Sequence, residues 1–242
     1  MIIGINGKIG SGKDTVGSII QYLTSEDSSE NCIKRVRGGL PIDGYHNSVW
    51  EIKKFAGKLK QTASLLTGIP VEKFEDQEFK KTYLGEEWNS PYNIPFSGPD
   101  FVEHDGGMTV RTLLQRLGTE AMRDGLHENV WVNALFADYN PRLQFEKSFH
   151  GMKEGVPLLH PKWIITDMRF PNEMDAVYKR EGCTIRVVRD YALRGGPEDP
   201  KNLHPSETAL DNSHFDYEII NDGTIEDLIE KVREILIRED LL

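Results

Sequence analysis

The chain has 242 residues, of which 38% are hydrophobic and 28% charged, so its composition excludes a disordered or fibrous protein. Its formal net charge of −10 argues against a nucleic-acid-binding surface, because such a surface depends on Lys and Arg that neutralise phosphates. The length suits one large α/β domain or one domain with insertions. We expect a single domain over residues 1–242, with an inserted region at about residues 45–160.

Cysteine usage and hydropathy favour a cytoplasmic protein. Cys32 and Cys183 are the two cysteines, and neither belongs to a C-x-x-C motif, so neither a disulfide framework nor a zinc site is indicated. Met1 leads directly into a short apolar segment without the basic region of a signal peptide. No run approaches the ~18 apolar residues that a membrane span requires.

The first predicted elements are a strand at residues 2–5, a glycine-rich loop and a helix at residues 16–23. Residues 7–15 fit G-x-x-x-x-G-K in the strand–loop–helix context that this motif requires. Backbone N–H groups and the helix N-terminus of such a loop bind phosphate oxygens, and its lysine reaches the terminal phosphates. The predicted ATP-phosphate site comprises Lys8, Gly10, Ser11, Gly12, Lys13, Asp14 and Thr15.

Asp14 departs from this motif, because Ser or Thr usually follows the lysine and binds Mg²⁺. Thr15 stands one place later, an arrangement similar to the G-K-G-T of nucleoside-monophosphate kinases such as adenylate kinase. Asp167 ends a predicted strand at residues 163–166 and is placed like a Walker-B carboxylate, with a solvated aspartate as the alternative. We expect Thr15 and Asp167 to bind Mg²⁺.

Three further helices are predicted between residues 52 and 136. One begins at Ile52 and carries Lys60 on its polar side, and an aperiodic stretch follows at about residues 75–107. Thr109 is the predicted cap of the next helix, which aligns Arg111, Gln115 and Thr119 on one stripe, and the last helix lies near residues 130–135. Lys60 suits an acceptor phosphate and the stripe suits phosphate and base recognition; solvated helix faces are the alternatives.

The C-terminal half alternates strands and helices. Strands are predicted at residues 163–166, 184–188 and 217–220, with a helix near residues 173–180 and a last helix capped by Thr224 and Asp227. This alternation predicts a doubly covered parallel sheet, which binds ligands beyond the carboxyl ends of its strands. Arg169 and Glu173 lie on that side. A candidate closing lid contains Arg189, Arg194 and the segment His204-Pro205-Ser206-Glu207, with a surface histidine as the alternative for His204.

The chain resembles the bacteriophage deoxynucleoside monophosphate kinase family over most of its length. The segments that carry the resemblance are Ser11-Gly12-Lys13-Asp14-Thr15, Ala56-Gly57-x-x-Lys60, Val110-Arg111-x-Leu113-x-Gln115-x-Leu117-Gly118-Thr119, Trp131-Val132, Asp167-x-Arg169 with Glu173-Met174-Asp175-Ala176, and Asn221-Asp222-Gly223-Thr224. Asp14 belongs to the resemblance. A phage-encoded enzyme would work in the host cytoplasm.

The resemblance implies phosphorylation of a deoxynucleoside monophosphate (dNMP) by ATP with Mg²⁺, on a three-layer P-loop fold with inserted acceptor-binding helices. It places Arg169 and Glu173 between the two substrates and Asn221 near the adenine. The implied acceptor site comprises Lys60, Arg111, Gln115, Gly118, Thr119 and Trp131. It implies small-molecule substrates only, and the sequence leaves a homodimer open.

Catalysis is expected to come from positioning and charge neutralisation by Lys13, Mg²⁺ and Arg169, with a lid arginine, Arg189 or Arg194, as the second candidate. The main alternative is another small-metabolite P-loop kinase, of the dephospho-coenzyme A or phosphomevalonate type. A GTPase-like switch is disfavoured because the sequence has no N-K-x-D stretch. A non-catalytic nucleotide-binding protein would leave Lys13, Asp167 and the arginines without a purpose.

Overall fold

The computed structural model describes residues 1–25, 48–88, 107–143, 158–189 and 205–242. The chain divides into two compact units. The first contains the described residues of Met1–Lys54, Phe136–Glu198 and Ser206–Leu242, and the second contains those of Phe55–Leu135 and Asp199–Pro205. Cys32, Arg194, His204 and much of the predicted aperiodic stretch lie outside the described residues.

The described strands form one large parallel sheet and a small antiparallel pair. In chain order they are β1 (Ile2–Asn6), β2 (Trp50–Lys53), β3 (Arg142–Leu143), β4 (Leu158–Leu159), β5 (Lys162–Ile165), β6 (Cys183–Val188) and β7 (Tyr217–Ile220). The sheet order is β2-β5-β1-β6-β7, and β3 pairs with β4. All neighbours in the large sheet are parallel, so their carboxyl ends meet at one edge.

The described helices are α1 (Lys13–Leu23), α2 (Phe55–Thr67), α3 (Val110–Gln115), α4 (Val130–Phe136), α5 (Pro171–Tyr178), α6 (Pro205–Thr208) and α7 (Ile225–Arg238). A π-helix, Arg116–Asp124, continues α3. Three short 3₁₀ turns, Val71–Glu75, Phe79–Lys81 and Glu86–Trp88, follow α2. Within the described residues, no helix combines the length and the apolar character needed to span a bilayer.

Helices cover both faces of the large sheet, as the sequence predicts. Ile3 and Ile5 of β1 are fully buried in a core shared with α1 and α7. Gly4 points to the opposite face, where a Cβ atom would lie 3.2 Å from Val177 Cγ2 of α5. Because interior parallel strands are covered on both sides, they are apolar throughout, which explains the run Trp163-Ile164-Ile165 in β5. The α/β class is confirmed.

The second unit has its own core of Ala63, Phe74, Val110 and Leu113. Thr109 caps α3 as predicted, and its side chain accepts a hydrogen bond from the Thr112 backbone N–H. The predicted helical pattern from Ile52 is wrong at its start. Ile52 pairs with Ile164 inside β2, and the helix begins at Phe55.

Candidate functional site

The loop between β1 and α1 has the backbone that a phosphate cradle requires. Gly10 and Gly12 have φ angles of 77° and 98°, in the left-handed region that favours glycine. The Ser11 carbonyl accepts a 2.8 Å hydrogen bond from Asn221 Nδ2, which is buried beside β7. A Cβ atom at Gly12 would lie 2.5 Å from that nitrogen, so glycine is required there for space as well. Asn221 therefore braces the phosphate loop.

Lys13 begins α1, and its Nζ lies 3.4 Å from the Lys8 carbonyl oxygen of the loop. Burial lowers the pKa of Lys13, although the Asp14 carboxylate opposes this effect. The charged side chains that influence this lysine are Asp14, Arg169, Glu207 and Asp167. The loop lysine thus interacts electrostatically with Asp167 and Arg169, which sequence analysis assigned to the same site, and with Glu207.

Asp14 is held by two donors. Its Oδ1 accepts a hydrogen bond of 2.9 Å from Thr166 Oγ1 and lies 3.0 Å from Lys54 Nζ. Partial burial by itself would raise the pKa of Asp14, but the charge of Lys54 and these hydrogen bonds outweigh it, so the pKa lies below its usual value. The carboxyl group is therefore ionised at neutral pH.

The turn after β5 carries Asp167, Arg169 and Glu173. Asp167 is buried. Glu173 is also buried and accepts hydrogen bonds from the backbone N–H groups of Arg169 at 2.7 Å and Phe170 at 3.1 Å, which caps α5. The Arg169 guanidinium lies 3.1 Å from Glu207 Oε1. The carboxylate of Glu173 thus fixes the backbone of the turn.

A cavity of about 400 Å³ opens beside the phosphate loop. It lies entirely in the first unit and is lined by Gly10, Gly12, Lys13, Asp14, Thr15, Arg189, Asn221, Gly223, Thr224, Ile225 and Leu228. Loop glycines and polar groups form one part of the lining, and the apolar start of α7 forms another. Such a mixture suits a nucleotide, with phosphates on the loop and a base against apolar carbons.

The residues proposed for the acceptor from the resemblance lie in the second unit, except Arg169 and Glu173. Lys60 is buried and forms a 2.6 Å ion pair with Glu75. Arg111 is exposed, and its Nη2 donates a 3.4 Å hydrogen bond to Gln77 Oε1. Two candidate acceptor cations are therefore held by the same short segment after α2.

Gly118 and Trp131 are joined by a hydrogen bond of 2.8 Å from the indole N–H to the Gly118 carbonyl. Both are buried, and a Cβ atom at Gly118 would lie 2.9 Å from a Leu59 methyl carbon. Gly118 thus lets the π-helix approach α2 closely. Gln115 and Thr119, at the end of α3 and inside the π-helix, are half-buried.

The oxygen donors beside Lys13 suit Mg²⁺. This ion takes one or two protein carboxylates together with phosphate oxygens and water, and does not need an all-protein cage. Asp14 and Asp167 both act electrostatically on Lys13, and Thr15 lines the same cavity. The described residues contain no cluster of three His, Cys, Asp or Glu side chains that could hold a metal alone. Asp14, Thr15 and Asp167 are thus the candidate oxygen donors for a metal that also binds phosphate oxygens.

Sequence analysis missed the contacts of Lys54, Thr166 and Asn6, and it placed Glu207 only in a candidate closing lid. Asn6 donates a 2.8 Å hydrogen bond to the Met168 carbonyl and so ties the turn after β5 to β1. Lys54 follows β2, and the helical pattern assigned to that segment hid its place at the carboxyl end of a strand. Glu207 belongs to neither the phosphate-loop motif nor the Asp167 turn, and its contacts are with residues far away along the chain.

Comparison with known proteins identifies the family. The family model for deoxynucleotide monophosphate kinase matches residues 99–232, more than half of the chain. The chain belongs to this family. The matched range includes the predicted acceptor helix, the Asp167 turn and Asn221.

Relatives of this deoxynucleotide monophosphate kinase family member include phage enzymes. The deoxynucleoside-5'-monophosphate kinase of Escherichia phage T5 is 23% identical over 247 residues, which covers 91% of this chain and 89% of the relative. The deoxynucleotide monophosphate kinase of Enterobacteria phage T4 is 27% identical over 128 residues, 53% of this chain and 45% of the T4 protein. The similarity to the T5 protein therefore extends through both units.

Proposed function

We propose that the protein transfers the γ-phosphate of ATP to a dNMP, giving a deoxynucleoside diphosphate and ADP. The observation that carries the proposal is the phosphate loop with Lys13 at the carboxyl edge of a parallel sheet, in a member of the deoxynucleotide monophosphate kinase family. The cavity beside the loop supports nucleotide binding, because its volume of about 400 Å³ lies within the usual range for small-molecule sites.

The proposed donor site comprises Lys8, Gly10, Ser11, Gly12, Lys13, Asp14, Thr15 and Asn221. The loop amides bind the phosphates and Lys13 neutralises their charge. Asn221 reaches the cavity but donates its Nδ2 to the loop, so its contribution beside the adenine is to hold the loop in shape. Mg²⁺, held through Thr15 and Asp167, would neutralise charge on the phosphate oxygens when it is bound.

The proposed acceptor site comprises Lys60, Arg111, Gln115, Gly118, Thr119 and Trp131, with Arg169 and Glu173. Its support is the placement of the first six residues in one unit, in the segments that carry the family resemblance. The Trp131–Gly118 hydrogen bond supports a framing role for those two residues.

We also propose that the chain works as one P-loop kinase domain with an inserted acceptor and lid region at about residues 45–160. We propose that it is a cytoplasmic enzyme.

Chemistry at the acceptor needs little proton transfer. The second pKa of a phosphate monoester is near ~6, so the acceptor oxygen is already largely ionised at neutral pH. The work of the protein is then to bring the two phosphates together and to neutralise the charge that spreads over the transferred group. Lys13 and Arg169 are the proposed catalytic cations, and the buried Asp167 carboxylate is the third proposed catalytic group.

The test is an ADP-release assay with ATP and Mg²⁺ against deoxynucleoside and ribonucleoside monophosphates, run with Lys13→Ala and Arg111→Ala. We expect turnover of at least one dNMP, a loss of about 100-fold or more for Lys13→Ala, and a raised KM for the dNMP with Arg111→Ala. Lys179→Ala and Arg233→Ala are matched surface controls. The acceptor assignment would be wrong if the enzyme phosphorylated dephospho-coenzyme A or phosphomevalonate but none of the nucleoside monophosphates.

A further inference from the structure

We infer that Glu207 is a positioning residue of the phosphotransfer site, which fixes the Arg169 guanidinium relative to the phosphate loop. The inference rests on the proposed function and deepens it. Glu207 lies in α6, far along the chain from both of its partners. Neither the loop motif nor the family resemblance pointed to it.

The two oxygens of Glu207 have different partners. Oε1 lies 3.1 Å from Arg169 Nη1, and Oε2 accepts a 3.3 Å hydrogen bond from the Ile9 backbone N–H. The side chain of Glu207 is only 12% exposed, compared with 37% for Arg169. Hydrogen bonds to an ionised group are stronger than neutral ones, and shielding from water strengthens them further. One carboxylate thus connects the arginine to the loop.

The segment that carries Glu207 is firmly attached to the first unit. Arg186 of β6 donates hydrogen bonds to the carbonyl oxygens of Leu210 and Asp211, and its guanidinium lies 4.3 Å from the centre of the Phe215 ring. Leu210 and Phe215 are buried. Lys8 of the phosphate loop forms a 3.5 Å ion pair with Asp211. The Glu207 carboxylate is therefore presented from an anchored support.

Arg169 is held at both its backbone and its guanidinium group, so its side chain is ordered before the substrates bind. Glu173 accepts a hydrogen bond from its backbone N–H, and Glu207 holds the far end of its side chain. An unrestrained arginine loses side-chain rotational entropy when it is ordered, and a displacement of ~1 Å at a catalytic group can cost ~100-fold in rate. Glu207 also favours the charged form of Lys13, against the effect of burial. Both proposed catalytic cations are thus supported by one carboxylate.

The opposite reading is that Glu207 imitates a phosphate oxygen on Ile9 N–H and Arg169 and must leave before ATP binds. The two readings predict different effects on ATP affinity and kcat when the carboxylate is removed. A competing carboxylate weakens nucleotide binding, so its removal tightens ATP affinity. A positioning carboxylate leaves ATP affinity nearly unchanged, and its removal lowers kcat. The anchored segment after α6 favours positioning, because a displaced group would have to move against those contacts.

The decisive experiment is a double-mutant cycle with Glu207→Ala, Arg169→Ala and the double variant, each assayed for kcat, KM and calorimetric ATP affinity. We expect Glu207→Ala to lower kcat about 10-fold to 100-fold with ATP affinity within about threefold of wild type. In the Arg169→Ala background the same substitution should add less than about threefold, because Glu207 acts through Arg169. Glu207→Gln keeps the shape and one acceptor oxygen and should recover part of kcat.

Glu234→Ala, which removes an exposed carboxylate from α7, is the matched control, and thermal melting checks that every variant is folded. Tighter ATP binding by Glu207→Ala, or fully additive losses in the double variant, would overturn the inference. If the wild type phosphorylates no dNMP, the proposed function fails separately. In that case hydrogen exchange at the Ile9 amide still tests the contact between Glu207 and the phosphate loop. Glu207→Ala should speed this exchange, and an unchanged rate would also overturn the inference.

Discussion

Asn221 shows how one side chain can shape a phosphate site without belonging to its motif. Its amide nitrogen donates to the Ser11 carbonyl and lies where a Cβ atom of residue 12 would otherwise fit. The carbonyl oxygen of a loop that turns its N–H groups toward phosphate must find a donor elsewhere. Asn221 supplies that donor, so the loop conformation depends on it.

Asn221→Ala should therefore lower the free energy of unfolding by about 1–3 kcal/mol, since it leaves the Ser11 carbonyl buried without this donor. It should also weaken ATP binding, because the loop must be reordered. Urea unfolding and calorimetric titration measure the two effects. Asp222→Ala, at the position after Asn221, is the control. It removes an exposed carboxylate that pairs with Lys231, and we expect little change in either measurement. Unaltered ATP affinity in Asn221→Ala would contradict the proposal that Asn221 holds the phosphate loop in its binding conformation.

At single positions, the sequence predicts what a local motif encodes and misses what the fold brings together. Lys13, Thr15 and Asp14 were assigned from contiguous spacing, and the structure places them on one cavity. Glu207 meets Ile9 across a sequence separation of 198 residues, and Asn6 meets Met168 across 162. No spacing rule connects such pairs, so these contacts could not be anticipated.

The packing of α1 on the sheet depends on a glycine at the contact. A Cβ atom at Gly17 would lie 2.7 Å from the Thr166 methyl carbon, just after β5. This close approach keeps the first turns of α1 near the carboxyl end of β5, which leads into the Asp167 turn. The distance between the phosphate loop and the Asp167 turn is therefore set partly by a missing side chain.

Gly17→Ala tests this contact. Alanine favours a helix by about 1 kcal/mol over glycine, but the clash with a fully buried threonine should cost about 1–3 kcal/mol and dominate. The expected net result is a lower midpoint in urea unfolding. Thr166→Ser removes the opposing methyl group and keeps the hydroxyl that donates to Asp14, so the double variant should recover stability. A Gly17→Ala protein as stable as wild type would show that α1 shifts freely.

Elements with a strong pattern were predicted well. The strand Tyr217–Ile220 was placed at its observed bounds, and the last helix has the predicted Thr224–Asp227 cap. The pattern failed at β2, because Ile52 continues the helical spacing of α2 while it lies in a strand. The π-helix after α3 was also missed, since hydrophobic spacing carries no signal for its wider turn.

On the scale of the whole molecule, most of the candidate residues for the two substrates belong to different compact units, with Arg169 and Glu173 as the exceptions among the acceptor candidates. The phosphate loop, Asp167 and Asn221 belong to the first unit, and the helical acceptor candidates belong to the second. Each unit has a core of its own. A ligand stabilises the part of a protein that binds it, by about 2.7 kcal/mol when its concentration is 100 times Kd.

Hydrogen exchange with one ligand at a time should therefore protect different segments. ATP with Mg²⁺ alone should slow exchange in peptides over residues 7–23 and 217–228, and a dNMP alone should slow it over residues 55–67 and 110–124. Mass spectrometry of peptides from the intact protein measures both patterns, and a ribonucleoside that lacks phosphate serves as the control ligand. Protection of the first unit alone by the dNMP would refute the acceptor assignment.

The bond between Asn221 and Ser11 joins residues 210 positions apart in the chain. A nascent polypeptide emerges from the ribosome in order, at roughly 5–20 residues per second. Ser11 is therefore synthesised about 10–40 seconds before Asn221, and the complete β7 cannot add to the sheet until about the time that Asn221 is made. During that interval the phosphate loop lacks its brace, so the nascent chain can form the complete nucleotide site only after Asn221 has been synthesised.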